Sequence, residues 1–270
     1  MDAIRVTVRR GGVVEAVHRV HVATTDGERW GDDLRFLLRS SAKPIQAIPF
    51  VEGYDDLDDD EIAIACASHR AEPAQLEAVR KVLERAGATV DDLENGLQEC
   101  RPEGKLGHNC SGKHAGMLAA CVAHGWPLHP YRDPAHPLQQ RIAEAIGGGE
   151  IAVDGCGVPT FAATLGGAAE LLTRTPQRIR DAMRARPELV GASTDAPDTD
   201  LMRLREGWIA KGGAEGLFCA AHADGRGIAL KAEDGAYRAI RPALALVLGI
   251  DEFRETPVRN SIGEVVGSIS

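Results

Sequence analysis

With 270 residues the chain is long enough for one large core, and its formal net charge of −9 argues against a nucleic-acid partner gripped through phosphates. No apolar run approaches the ~20 residues of a membrane-spanning helix. The six cysteines form no C-x-x-C pair, which speaks against a zinc ribbon.

The opening stretch, residues 4–10, alternates Ile4, Val6 and Val8 with polar residues and reads as a strand rather than a signal peptide. A soluble, cytoplasmic globular protein with reduced cysteines is therefore expected. Gly11-Gly12 joins this run to a second alternating stretch, 13–24, in a hairpin pattern. The apolar approach 35–39 leads to Ser40, and Ile45, Ile48 and Val51 continue at helical spacing. That puts Ser40 at a helix N-terminus and Lys43 one turn on, with Pro44 tolerated in the first turn. Residues 55–61 read as an acidic surface loop, and 62–67 as an apolar run. The clearest helix spans 72–86, with Leu76, Val79, Val82 and Leu83 on one face and Gly87 as the stop. Lys81 lies on its charged side.

A second helix is expected from Lys113 to His124, closed by Gly125, and a short strand over 151–153 opens into the turn Asp154-Gly155-Cys156-Gly157. Helices follow over 160–172 and 176–186. Strands are expected at 208–210, 217–222 and 227–232, and Arg241-Pro242 opens a last helix. With no repeat and no linker, the pattern predicts a single α+β domain over 1–270.

Six lysines against twenty-five arginines is a skewed ratio. Arginine can serve any surface that only needs a solvated cation, but it cannot lose its proton near neutral pH, whereas a desolvated lysine can. Three of the six lysines sit in small-residue motifs. Ser40-Ser41-Ala42-Lys43 puts a hydroxyl and an amine on one face of a helical turn, where the amine could take the serine proton; the ordinary alternative is an N-cap serine and a surface lysine. Lys211-Gly212-Gly213 would place a lysine at a strand end. Its two glycines permit close backbone approach or an exposed amide for an oxyanion, although a hairpin turn would look the same. Ser68-His69-Arg70 closes the apolar run and offers another loop serine. The order Ser-x-x-Lys, loop serine, Lys-Gly is that of the serine β-lactamases and penicillin-binding proteins, with two departures: Ser68-His69-Arg70 for Ser-Asp-Asn, and Lys211-Gly212-Gly213 for Lys-Thr-Gly.

Asn109-Cys110-Ser111-Gly112-Lys113-His114 is the most specific string. Cys110 converges with Lys113 and with His114 on one helical face, and Cys156 supplies a second sulfur from a tight turn. Two sulfurs and one nitrogen suit zinc, the nitrogen coming from His114 or from a neutral Lys113; small buried thiols are the alternative, and the one assigned to Cys66, Cys100, Cys121 and Cys219.

Five strings in order, Arg39–Pro44, Cys66–His69, His108–His114, Val153–Pro159 and Ala210–Gly216, resemble the Rhizobium-type, thermolabile L-asparaginases of the asparaginase II family over nearly the whole chain. That resemblance implies a serine β-lactamase-like fold, a homodimer, and hydrolysis of L-asparagine to aspartate and ammonia through a serine acyl-enzyme. It implies two Ser–Lys tandems, Ser40 with Lys43 and Ser68 with Lys211. It also implies zinc on Cys110, Lys113 and Cys156, and Arg39, His114 and Asp154 in the substrate region, to which Gly212 is added. The competing expectations are a glutaminase or another Ser–Lys hydrolase on the same fold and, in a different class, a non-catalytic module held together by zinc.

Overall fold

The computed structural model describes residues 1–191 and 196–270. Its strands are β1 (Ile4–Arg10), β2 (Val13–Thr24), β3 (Arg29–Trp30), β4 (Arg35–Leu37), β5 (Ile151–Val153), β6 (Pro159–Thr164), β7 (Trp208–Gly212), β8 (Leu217–His222), β9 (Gly227–Ala232), β10 (Thr256–Arg259) and β11 (Val265–Ile269). The helices are α1 (Lys43–Gln46), α2 (Ile48–Glu52), α3 (Asp59–Ala65), α4 (Pro73–Arg85), α5 (Ser111–His124), α6 (Pro137–Ile146), α7 (Leu165–Leu171), α8 (Gln177–Ala185), α9 (Pro187–Val190), α10 (Pro197–Leu204) and α11 (Ile240–Leu248).

An eight-stranded antiparallel sheet runs β10-β11-β1-β2-β9-β8-β7, with β3 added beside β2. A smaller antiparallel sheet runs β4-β6-β5. The β1–β2 hairpin carries a bulge between Val8 and Arg9, which re-phases the register near its tip. Helices α7 and α11 pack on the large sheet, while α3, α4, α5 and α8 pack on one another. Gly227 lets α7 come close, because a Cβ there would run into the Ala169 carbonyl. One continuous cluster of buried apolar residues joins sheet and helices. Among the described residues, no helix is long and apolar enough to cross a membrane.

Several elements depart from the sequence reading. The acidic stretch 55–61 is only partly loop, because Asp58 caps α3: it accepts from the Glu61 amide at 3.1 Å, and the Glu61 carboxylate accepts from the Asp58 amide at 3.1 Å. The segment expected as one helix from 160 begins as β6. Its Thr160 pairs across to Ala152, and Thr164 then caps α7 by accepting from the Gly167 amide at 3.2 Å. Helices α6 and α10 and the β10–β11 hairpin were not anticipated. Strand β7 extends through Gly212, so Lys211 lies inside the strand rather than at its end.

Candidate active site

A cleft of about 470 Å³ opens where the end of β7 meets the turn before α1, the loop after α3 and the loop before α5. Ser40, Ser68, Lys211 and Gly212 line it together with Arg70, Asn109, Asp198 and Tyr237. Three segments far apart in sequence thus bring both expected serines and one expected lysine to one surface.

Each side chain is placed by its local backbone. Ser40 sits in a 3-10 turn, Arg39–Ala42, that feeds directly into α1. Arg39 has φ +49°, a left-handed conformation that costs a non-glycine residue about 1 kcal/mol or more. Its amide donates to Thr160 Oγ1 at 3.0 Å, tying the turn to β6. Lys43, the first residue of α1, is completely buried below the cleft. Ser68 follows α3, and its amide donates to the Val190 carbonyl at 3.0 Å. Lys211 points inward from β7 and is 1% exposed.

The hydrogen bonding differs from the pairing that the resemblance implied. Lys43 Nζ donates to Ser68 Oγ at 3.0 Å, to the Ala67 carbonyl, and to the Asn109 carbonyl at 3.4 Å. Lys211 Nζ instead donates to Asp198 Oδ2 at 3.3 Å and to the Gly212 carbonyl at 3.0 Å, and among the described residues it meets no serine. Among the described residues Lys43 has no carboxylate partner. Burial lowers its pKa from the ordinary lysine value; the Cys110 and Cys156 sulfurs work against this and the Lys113 and Lys211 cations with it. On balance its surroundings favour the neutral amine.

The glycines of Lys211-Gly212-Gly213 provide room rather than oxyanion donors. The Gly212 amide donates to Asp198 Oδ2 at 3.1 Å and the Gly213 amide to the Leu217 carbonyl at 2.7 Å, so both are occupied. A Cβ on Gly212 would overlap the Tyr237 hydroxyl, and one on Gly213 would lie 2.5 Å from Ser41 Oγ.

A second cluster lies behind Asn109. Cys110 and Cys156 are both buried and lie against each other. Its interaction with the Cys156 thiol, helped by Lys43 and Lys113, holds the Cys110 thiol well below its ordinary pKa, and the Cys156 thiol is correspondingly raised. Lys113 Nζ donates to Cys156 Sγ at 3.0 Å. Burial works against its ammonium, but the two sulfurs and Asp154 outweigh this and raise its pKa. His114 is fully buried; its Nδ1 lies 2.8 Å from the Tyr131 hydroxyl and its Nε2 has no hydrogen-bond partner. Burial pushes its pKa down to about 4. Arg39 Nε donates to Asp154 Oδ1, which also accepts from the Gly155 amide at 2.7 Å.

Arg39, His114, Asp154, Cys110, Lys113 and Cys156 thus gather in one place, beside the cleft wall rather than on it. Asn109 joins the two regions: its carbonyl takes Lys43, and its Oδ1 accepts from Cys110 Sγ at 3.1 Å. Among the described residues, no three His, Cys, Asp or Glu side chains form a metal cage. The two sulfurs have a lysine amine, and a buried imidazole nitrogen without a partner, next to them. All six cysteines are free, and Cys100, expected to be buried, is exposed.

The model of L-asparaginase II matches residues 6–270. The chain belongs to that family. It is accordingly an L-asparaginase enzyme, with asparagine as its substrate. A comparison with curated proteins found no match.

Sequence reasoning missed Asp198, Tyr237 and Asn109. Asp198 carried one faint signal, an acidic residue directly after Pro197 at a helix start. Tyr237 carried none. Asn109 was noticed only as the neighbour of Cys110, yet its backbone carbonyl is what reaches Lys43.

Proposed function

We propose that the chain hydrolyses the side-chain amide of L-asparagine through an acyl intermediate on Ser68, with Lys43 as its general base. The observation that carries this reading is the 3.0 Å contact between Lys43 Nζ and Ser68 Oγ, made by a buried lysine without a carboxylate partner among the described residues. A neutral Lys43 along that line accepts the Ser68 hydroxyl proton as the oxygen attacks the amide carbon. Ser40 lines the same cleft and takes, in this reading, the part of a second hydroxyl that orients the reacting amide.

Asparagine also presents a carboxylate and an ammonium. Arg39 and Asp154 are suited to them, but their mutual ion pair would first have to open. Arg70 adds a guanidinium on the cleft wall that has no acidic partner among the described residues. His114 would serve the site from behind, through Tyr131 and the cysteine pair.

The donor set at Cys110, Cys156 and Lys113 fits zinc: two sulfurs, one an anion in waiting, and an amine 3.0 Å from Cys156 Sγ. When bound, zinc would neutralise the sulfurs and fix the Asn109–Cys110 wall. The nucleophile and base are already supplied by Ser68 and Lys43. The rest of the reading is a single domain with a serine β-lactamase-like arrangement of an antiparallel sheet and helices, acting as a cytoplasmic homodimer without a nucleic-acid partner.

The test is ammonia release from asparagine and glutamine side by side. The proposal expects asparagine to be turned over with the higher kcat/KM. A glutamine preference would make the enzyme a glutaminase, and no hydrolysis of either, with unfolding on chelation, would leave a zinc-held module.

A further inference from the structure

The two buried lysines of this site stand in opposite surroundings. Among the described residues Lys43 donates only to neutral oxygens, two carbonyls and the Ser68 hydroxyl. Burial is the largest influence on its pKa and lowers it; the Cys110 and Cys156 sulfurs work to raise it and the Lys113 and Lys211 ammoniums to lower it. Lys211 meets a carboxylate. Asp198, at the start of α10, has a side chain only 3% exposed, and its Oδ2 accepts from Lys211 Nζ at 3.3 Å and from the Gly212 amide at 3.1 Å. Its Oδ1 accepts from the Thr199 amide at 3.0 Å, and Thr199 Oγ1 donates to the Pro187 carbonyl at 3.0 Å, so α9 and α10 clamp the carboxylate in place.

Among the described residues, the other titratable groups facing Lys211 are Cys66 after α3, Cys219 on β8, Tyr237 beyond β9 and Lys43 on α1. Burial pushes both thiols up to about 12 and the Tyr237 phenol well above its ordinary value, so all three are neutral at working pH. Asp198 is then the anion that balances Lys211, while Lys43 is a cation that would be repelled by it. A buried carboxylate beside a buried amine favours the ammonium, and removing it would leave a charge stranded out of water.

We propose that Asp198 is a positioning residue that holds Lys211 as the fixed ammonium of the cleft, so that Lys43 works as the base and Lys211 as the acid. This rests on the Ser68 reading above. The proton and bond accounting closes over one turnover. Lys43 takes the Ser68 proton while the Oγ–C bond forms at the amide carbon. The C–N bond then breaks, Lys211 gives a proton to the departing nitrogen, and ammonia leaves. Lys43 is now an ammonium and Lys211 a neutral amine, the reverse of the start. Water attacks the acyl carbon and gives a proton to Lys211. The C–Oγ bond breaks, Ser68 recovers its proton from Lys43, and the product acid ionises to solvent. Asp198 has a function in both halves: it stabilises the ammonium at the beginning and draws the water proton back to Lys211 at the end.

The low lysine content makes a direct test practical. With ¹³Cε-labelled lysine only six signals are present, and Lys43→Met and Lys211→Met assign the two buried ones. The proposal expects the Lys43 signal to lose its proton at lower pH than the Lys211 signal, and Asp198→Asn to bring the Lys211 titration down by at least one pH unit while Lys43 moves less. This readout does not need asparagine turnover, so it survives failure of the functional reading. In kinetics, Asp198→Asn should lower kcat at least tenfold with KM changed less than threefold, and should move the alkaline limb of the kcat profile to lower pH. Lys211 titrating before Lys43 would overturn the proposal. So would a uniform loss of rate with both limbs unmoved, or a rise in KM at unchanged kcat, which would make Asp198 a substrate contact. Should Asp198→Asn fail to fold, Asp198→Asn/Lys211→Met removes both charges and is expected to recover folding without recovering activity. If it does not fold either, Asp198 is a structural cap and the proposal falls.

Discussion

Replacing Lys43 by Met removes one amine and keeps nearly the same length and volume, so its effects on chemistry and on folding can be separated. Lys43 is completely buried, with a lowered pKa caused first by burial. Losing a general base of this kind costs about 10²–10⁴ in rate, or roughly 3–5 kcal/mol of transition-state stabilisation. Stability should change far less. The Ala67 and Asn109 carbonyls and Ser68 Oγ each lose a donor, at about 1 kcal/mol apiece, but the enzyme no longer has to keep an amine out of water. These contributions oppose each other, and the melting temperature should stay within about 5 °C of the parent. A coupled ammonia assay gives kcat and KM, and a thermal melt controls for folding. A folded Lys43→Met variant with kcat within threefold of the parent would refute Lys43 as the base.

Gly212→Ala should destabilise by about 1–3 kcal/mol and lower activity, since its Cβ overlaps the Tyr237 hydroxyl; Tyr237→Phe in the same chain should recover part of both, read by melting and ammonia release. Acid should unfold the protein early. His69 and His114 are held neutral by burial with pKa values down to about 3 and about 4, so the unfolded chain binds protons first as pH falls below ~6.5. The stability they contribute is complete above that pH and is lost on the way down to pH 3, and chemical denaturation at pH 7.5, 6 and 5 should show it falling stepwise; a flat profile would contradict the assignment. Protein made with zinc supplied should carry about one zinc per chain by elemental analysis and lose it in Cys110→Ser or Cys156→Ser. KM should then rise more than kcat falls.

Local pattern carried much of this chain. Strands β1 and β2 were readable because Gly11-Gly12 separates two alternating runs, and α4 and α5 because each ends on a glycine after an apolar face. Cys110, Lys113 and His114 could be read onto one helical turn, but which of the two nitrogens goes with Cys110 and Cys156 came from the family resemblance and not from spacing. Partnerships across the fold were not readable. Nothing in Ser40-x-x-Lys43 says that its lysine reaches Ser68, 25 residues on, because that contact depends on how α1 packs against the loop after α3. Asp198 had no motif at all; α10 brings it beneath β7, and its meaning comes only from Lys211. Only the first turn of α3 reads as loop, because it is acidic, although Asp58 and Glu61 spell a capping box. The β10–β11 hairpin, with few alternating apolar residues, was held by pairing with β1 rather than by its own pattern.

The claim that Ser68, activated by Lys43, forms the acyl intermediate is tested most directly by rapid quenching of the enzyme with asparagine, followed by intact-mass and peptide analysis. The account predicts a transient adduct of the aspartyl mass on the peptide holding Ser68. The adduct should persist in Ser40→Ala, though formed more slowly, and be absent in Ser68→Ala. An adduct on Ser40 that survives Ser68→Ala would contradict it.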